Sequence, residues 1–296
     1  MKRHMTEPLR DAGHRSATGS LDDRPIGRIL VDMGKLKPKD VGRVFALHRE
    51  KGLRFGEAAR KLRLVKDADV EYALSVQFNY PYLRPNQGLL GQDLVVAHDP
   101  FDGEAEILRD LRTQLLLHWV NGERKVLAIV SPDAGDGRSF VAANLAVVFA
   151  QLGEKTLLID ADLRSPRQHR IFGITDGVGL AHVLRGRAGI EAAERVAYFD
   201  NLTVLAAGAA PPNPLELLSR AELPGLLSEV RKNFTVILID TPAGARGSDA
   251  QVVSARADGV LMVARQNRTK VTDLERLRRT VAACNVQVVG TVLNTV

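Results

Sequence analysis

The stretch Val126-Leu127-Ala128-Ile129-Val130-Ser131-Pro132-Asp133-Ala134-Gly135-Asp136-Gly137-Arg138-Ser139 decides the reading of most of this chain. Its apolar run has the length and β-branched content of a strand buried on both faces. A glycine-rich turn follows, and then a helical pattern. That is the layout of a phosphate-binding loop, in which backbone N–H groups and a helix N-terminus hold phosphate. Two later segments repeat the plan with a different ending: Leu157-Leu158-Ile159-Asp160-Ala161-Asp162-Leu163-Arg164 and Val236-Ile237-Leu238-Ile239-Asp240-Thr241-Pro242. Both strands end in carboxylates, which can hold Mg²⁺ and position an attacking group. One such segment is weak support. Three in this order make a nucleotide site the leading reading.

Working outward, strands are expected near 126–130, 155–160, 202–206, 235–240, 259–264 and 286–293. Helical patterns fill 104–120, 139–152, 191–197, 214–231, 247–256 and 271–284. Strand–helix alternation predicts an α/β fold with a mostly parallel sheet, whose ligands sit at the C-terminal strand ends. The expected nucleotide-binding residues are Gly135, Asp136, Gly137, Arg138, Ser139, Phe140 and, at the end of the last strand, Asn294. Ser139, Asp160, Asp162 and Asp240 are the metal candidates, and the three aspartates are also the catalytic ones. Asp249 is a weaker candidate that suits a helix cap equally well. The loop departs from G-x-x-x-x-G-K-[ST]: Pro132 and Arg138 stand where Gly and Lys are expected. Arginine keeps the charge but is planar and fork-shaped, so the exchange is not conservative.

The formal charge of +6 permits anionic partners, but dispersed arginines with few aromatics among them give no nucleic-acid signature. The single cysteine, Cys284, excludes an internal disulfide framework and fits a reducing compartment. No apolar run reaches the roughly 18–20 residues of a membrane span. Residues 1–24 are polar and charged and read as a disordered leader, which suggests cytoplasmic residence.

Residues 25–77 hold a near-duplication, 25–48 and 54–77. Gly27 aligns with Gly56, Leu36 with Val65, Asp40 with Asp69 and Val41 with Val70. Each copy reads as a short helix, a turn, and a second helix opened by an acid. The expected organisation is a leader (1–24), a small all-helical domain (25–83), a linker (84–100) and a nucleotide-binding domain (101–296). Phe78, Tyr80 and Tyr82 are expected to plug the helical domain.

Two resemblances follow from these residues. The repeat resembles the MshEN-type N-terminal domain of type II secretion ATPases, some of which bind cyclic di-GMP. Gly27, Arg54, Gly56 and Gln77 match that motif, whereas Pro25 and His48 depart from it in the first copy. Residues 98–296 resemble a bacterial tyrosine kinase of the polysaccharide co-polymerase type, a P-loop NTPase-like domain akin to MinD and ParA. The resemblance rests on the loop, the Asp-Ala-Asp-Leu-Arg core at 160–164, the segment 237–242, Pro211-Pro212-Asn213-Pro214-Leu215-Glu216-Leu217-Leu218, and Glu106, Arg109 and Arg112 in the spacing of a ring-forming motif.

The whole chain therefore looks like an EpsG-type chain-length-determinant kinase of exopolysaccharide systems. The resemblance implies ATP/ADP and Mg²⁺ use, tyrosine phosphorylation, a membrane-embedded co-polymerase partner that recruits it to the inner face of the membrane, and a homo-oligomeric ring. Read without the resemblance, Glu106, Arg109 and Arg112 are an intrahelical ion-pair stripe. No tyrosine follows Tyr198, so Tyr72, Tyr80, Tyr82, Tyr198 or another protein is the expected phospho-acceptor. Two other classes compete. A MinD/ParA-type ATPase would carry a signature lysine where this chain has Asp133. A cyclic di-GMP-responsive adaptor would keep the nucleotide site for structure alone.

Overall fold

A computed structural model describes residues 24–77, 90–175 and 177–295. Phe78, Tyr80, Tyr82, most of the leader and residues 84–89 of the expected linker lie outside them. The chain divides into two compact units, one ending at Tyr80 and the other beginning at Pro81.

The described part of the first unit is all-helical: α1 (Ile26–Asp32), a 3₁₀ turn (Pro38–Asp40), α2 (Val41–Lys51), α3 (Phe55–Lys61) and α4 (Asp67–Gln77). Helix α1 packs on α4 and α2 on α3, around Ile29, Leu30, Leu36, Val44, Ala58, Ala59 and Ala73. The repeated glycines have a packing reason. A Cβ on Gly27 would lie 2.8 Å from the Phe55 ring, and one on Gly56 would lie 2.6 Å from Val70 Cγ1. Both contacts are tighter than any side chain tolerates, so helices approach there only over glycine.

The second unit runs α5 (Val95–His98), α6 (Gly103–His118), β1 (Val126–Val130), α7 (Arg138–Gln151), β2 (Thr156–Asp160), α8 (Gln168–Ile171), α9 (Leu180–Val183), β3 (Glu194–Arg195), β4 (Leu202–Leu205), α10 (Pro214–Ser219), α11 (Glu222–Val230), β5 (Val236–Asp240), α12 (Asp249–Ser254), β6 (Gly259–Arg265), α13 (Val271–Ala282) and β7 (Gln287–Asn294). The sheet order is β3-β4-β2-β5-β1-β6-β7, parallel except for the β3–β4 pair. One face is covered by α5, α6 and α7, and the other by α9 to α13. Strands β1, β2 and β5 are buried at every position, as a centre shielded on both faces requires.

Three expectations need correction. The helix expected at 191–197 is a 3₁₀ turn, Ile190–Ala192, followed by strand β3, whose exposed Glu194 and Arg195 form a charged sheet edge. The helix expected at 214–231 is two helices. Pro224 has no N–H, and its ring would clash with the carbonyl of Arg220, so the helix breaks there and restarts with Pro224 in its first turn. Residues 90–100 are not free linker: Leu90, Leu94, Val96 and Ala97 are buried in the core of the second unit, and Asn144 of α7 holds the segment through the Asp93 carbonyl and the Val96 N–H.

Candidate nucleotide and metal site

The order β2-β5-β1 explains why three distant motifs meet. Strand β5 lies between its partners in register, with Asp240 opposite Asp160 on one side and Ile129 on the other. The ends of all three strands therefore open on one edge, where parallel α/β sheets place their ligands.

The loop between β1 and α7 is held from three directions. Gly135 and Gly137 have φ of 86° and 105°, values open to glycine. A Cβ on Gly137 would lie 2.2 Å from Asn294 Nδ2, and one on Gly135 would lie 2.8 Å from Arg268 Nη1. Asn294 donates to the Asp136 carbonyl at 3.2 Å, which places the end of β7 on the loop. Arg265, which ends β6, and Arg268, in the turn before α13, donate to the carbonyls of Gly135 (3.1 Å) and Ala134 (2.9 Å). Asp136 is turned inward: its carboxylate accepts from the Asp133 N–H (2.8 Å) and the Thr269 hydroxyl (2.9 Å) and is fully buried. Its side chain braces the loop, so the expected ligand contact there falls to the backbone. Phe140 likewise turns its ring to the core and leaves only its backbone to the site.

Arg138 is 7% exposed. Its Nε donates to the Thr241 carbonyl (2.8 Å), and its Nη1 donates to the Asp133 carbonyl (2.7 Å) and the Ser131 hydroxyl. Its Nη2 stands 3.8 Å from the Asp162 carboxylate. The guanidinium thus ties the phosphate loop to the strand end of β5.

The carboxylates divide by environment. Asp160 accepts backbone N–H groups from Asp162 (3.1 Å), Arg167 (3.0 Å) and Gln168 (3.0 Å). Burial nevertheless holds its carboxyl well above the ordinary carboxylate range, and the neighbouring Asp240 charge adds to this. Asp240 is also raised by burial, with the Arg138 charge, Ser139 and Gln168 pulling it back. Gln168 Nε2 donates to Asp240 Oδ2 at 2.8 Å, while no donor reaches Asp240 Oδ1 in hydrogen-bond geometry, although the Ser139 hydroxyl is a neighbour.

A bare, buried carboxylate oxygen next to a hydroxyl and a second carboxylate suits a hard divalent cation. Among the described residues no three acidic or histidine side chains converge tightly enough to hold a metal by themselves. That fits Mg²⁺, which binds through one or two carboxylates and completes its shell with water and phosphate oxygens. Ser139 and Asp240 are the residues that would hold it, with Asp160 or Asp162 as a second carboxylate. Such an ion supplies charge stabilisation to a transferring phosphoryl group.

Asp249 is a structural partner: 1% exposed, it takes a two-pronged pair from Arg164 at 3.2 Å for each oxygen. Arg109 pairs with Glu106 at 2.7 Å and donates to the Pro100 carbonyl, and Arg112 donates to the Val148 carbonyl at 3.1 Å. In the first unit Arg54 is exposed at the start of α3, and Gln77 ends α4 half-buried. The roles of Gln168, Arg265, Arg268 and Thr269 were not expected. Gln168 follows the Asp160–Arg164 motif closely enough for proximity alone to have flagged it.

A P-loop NTPase domain is the class that this sheet order and loop define. Residues 122–296 match the ParA family, described as NUBPL iron-transfer P-loop NTPases. The chain is 37% identical over 213 residues to the tyrosine-protein kinase YwqD of Bacillus subtilis, covering 72% of this chain and 90% of that protein. It is 31% identical to the putative tyrosine-protein kinase CapB of Staphylococcus aureus, over 68% of this chain and 88% of the other. It spans only 28% of the longer Wzc kinase of Salmonella typhimurium, at 31% identity. Among solved structures, the kinase domain of Escherichia coli tyrosine kinase ETK superposes with a TM-score of 0.67 at 30% identity, covering 72% of this chain and 84% of that one. The chain belongs to the bacterial tyrosine-protein kinases.

Proposed function

We propose that the chain is an ATP- and Mg²⁺-dependent protein-tyrosine kinase that regulates exopolysaccharide chain length and export. One observation carries the reading: Asp240 Oδ1, buried without a hydrogen-bond donor beside Ser139 and opposite Asp160 at the mouth of a glycine loop, belongs to an oxygen set whose chemistry suits a hard divalent cation. In this reading one of Asp160 and Asp162 holds the metal and the other takes the proton of a tyrosine hydroxyl. A membrane-embedded polysaccharide co-polymerase is the proposed partner, holding the kinase at the inner face of the membrane. Among the described residues no helix is long and apolar enough to cross a bilayer.

Assembly into a ring through α6 is part of the proposal. Ile107 and Leu117 on that helix are 68% and 70% exposed, two apolar side chains set among the polar residues Glu106, Asp110 and Gln114. The hydrogen bonds of Arg109 and Arg112 within the subunit favour a role in holding the helix in place. Tyr198, 44% exposed, is the most open acceptor tyrosine among the described residues.

The test is phosphotyrosine detection on purified chain with Mg·ATP, alone and with the cytoplasmic part of the co-polymerase. Phosphotyrosine is expected with the wild type and not with Asp160→Ala. If neither protein is labelled, kinase activity is excluded and the adaptor reading replaces it. For that adaptor, titration of cyclic di-GMP into the chain and into Arg54→Ala is the matching measurement.

A further inference from the structure

Arg138 occupies the place of the mobile phosphate-loop cation, yet two of its three nitrogens are held by the protein and the whole side chain is buried. A compact lysine ammonium on a flexible stem can swing to a phosphate. A guanidinium pinned through Nε and Nη1 cannot swing without breaking those bonds. The charge that meets the outer phosphates must therefore come largely from elsewhere.

A cavity of about 100 Å³ lies directly over the loop, lined by Ala134, Gly135, Gly137, Arg138, Ser139, Asp162, Ser165, Arg167 and Arg246. Its floor is the loop with the Ser139 and Asp162 side of the metal site. Two further guanidiniums line it. Arg246 ends the 3₁₀ turn Gly244–Arg246, which is fastened to the loop by the Gly244 N–H to the Ser131 carbonyl (2.9 Å) and the Ala245 N–H to the Pro132 carbonyl (2.9 Å). From there Arg246 crosses to donate to the Ser165 hydroxyl, in the turn after β2. Arg167 belongs to that turn; its backbone N–H holds Asp160, while its side chain, 58% exposed, reaches Asp93 at 3.1 Å.

Both side chains are exposed, and each is held by one exposed partner, an attachment worth about 0–1 kcal/mol. Guanidinium forks match phosphate oxygens in paired hydrogen bonds. The backbone of each arginine is meanwhile fixed to an element of the site, Arg246 beside the loop and Arg167 on Asp160.

We propose that Arg246 and Arg167 are the phosphate-binding cations of this site, reading the outermost phosphate of a nucleoside triphosphate, while Arg138 acts as a brace of the loop. This rests on the nucleotide reading above. Arg246 exchanges the Ser165 hydroxyl for a phosphate oxygen, so that the triphosphate, held also by Arg167, replaces the direct bond between the turn after β2 and the loop after β5.

The test is calorimetric titration of the full chain with Mg·ATP and Mg·ADP, for the wild type, Arg246→Gln, Arg246→Lys, Arg167→Gln and Ser165→Ala, with thermal melting as a folding control. Arg246→Gln is expected to weaken ATP about tenfold, one charge-assisted contact, and to weaken ADP less. Arg246→Lys should recover part of the loss. Arg167→Gln should show the same preference for ATP with a smaller loss. Ser165→Ala should bind ATP at least as tightly as wild type, because it frees the arginine without removing it. If the wild type binds ATP and both glutamine variants bind it equally well, the two arginines do not read phosphate, although the nucleotide site stands. If both variants lose ATP and ADP equally, the discrimination of the outer phosphate is wrong. A wild type that binds neither nucleotide overturns the nucleotide reading and this proposal together.

Discussion

Opposite edges of one sheet carry buried or half-buried aspartates in opposite electrical conditions. At the N-terminal edge of β6, Asp258 accepts the Lys125 N–H (2.8 Å) and the Val126 N–H (2.9 Å) and takes both Nη groups of Arg231, at 2.8 and 2.5 Å. Burial alone would raise its carboxyl, but these donors outweigh burial and hold it below the ordinary range. At the C-terminal edge, Asp160 and Asp240 are completely buried, share one region of negative charge, and are raised. The first aspartate closes a seam between β1, β6 and the end of α11. The second pair sits among its own negative charge, without a directly paired cation side chain. A facing guanidinium, rather than the number of backbone donors, separates the lowered carboxylate from the raised ones.

Three experiments sharpen or break that contrast. The largest effect is expected at the seam. Asp258→Ala removes the acceptor of two backbone N–H groups and an ion pair, and should lower stability by about 2–3 kcal/mol in a denaturant melt. Nucleotide affinity of the folded fraction should not change. A loss below half a kcal/mol would mean that the seam holds nothing.

At the other edge the sign reverses. Asp240→Asn should weaken Mg²⁺-dependent nucleotide binding about tenfold or more, about 1.4 kcal/mol, with little change in binding without Mg²⁺. The same substitution should leave the nucleotide-free protein as stable as the wild type or more so, because it removes a buried charge that burial disfavours. The pH dependences follow from the two directions of shift. Asp258, lowered in the folded state, contributes stability above the ordinary carboxylate range and loses it as pH falls through its lowered value. Asp160 and Asp240, raised in the folded state, bind protons more tightly folded than unfolded, so their contribution declines as pH climbs from the ordinary range through their raised values. Mg²⁺ should reverse that decline, since it favours the ionised forms. Wild-type and Asp240→Asn melts from acid to neutral pH, with and without Mg²⁺, check this. Identical pH slopes for the two proteins would show that Asp240 does not titrate as argued.

The smallest effect concerns the arginine that braces the functional edge. Arg138→Lys keeps the charge but cannot make the fork to the Thr241 and Asp133 carbonyls and the Ser131 hydroxyl. It should cost about 1 kcal/mol in a denaturant melt. An unchanged melt would mean that the brace is dispensable and that Arg138 is free to serve phosphate after all.

The motifs at 126–139, 157–164 and 236–242 were legible because a strand shielded on both faces reads as an apolar run, and because carboxylates at its end have few other reasons to be there. Their meeting point was legible only as a class, since register is a property of strand order and no local pattern carries it. The Pro224 break was open to reading and was missed because helical periodicity continues across it. Arg167 and Arg246 were out of reach for a different reason. Polar residues in turns look alike until the backbone shows which of them face one another. The glycines of the repeat were visible as a pattern, and their reason lies in the Phe55 and Val70 side chains that press on them.

The insertion of β5 between β1 and β2 also bears on how the molecule is made. Strands β1 and β2 leave the ribosome first, yet neither pairs with the other; β1 (Val126–Val130) has no partner before β5 (Val236–Asp240), β2 pairs with β4 and then with β5, and the loop waits further for Asn294. Such non-local pairing is slow, and the unpaired edges are hazardous while it is pending. No fragment that ends before residue 294 assembles every contact of the loop. The loop therefore completes its contacts only after β7 has docked, and a nucleotide that binds it stabilises only molecules that have reached that point.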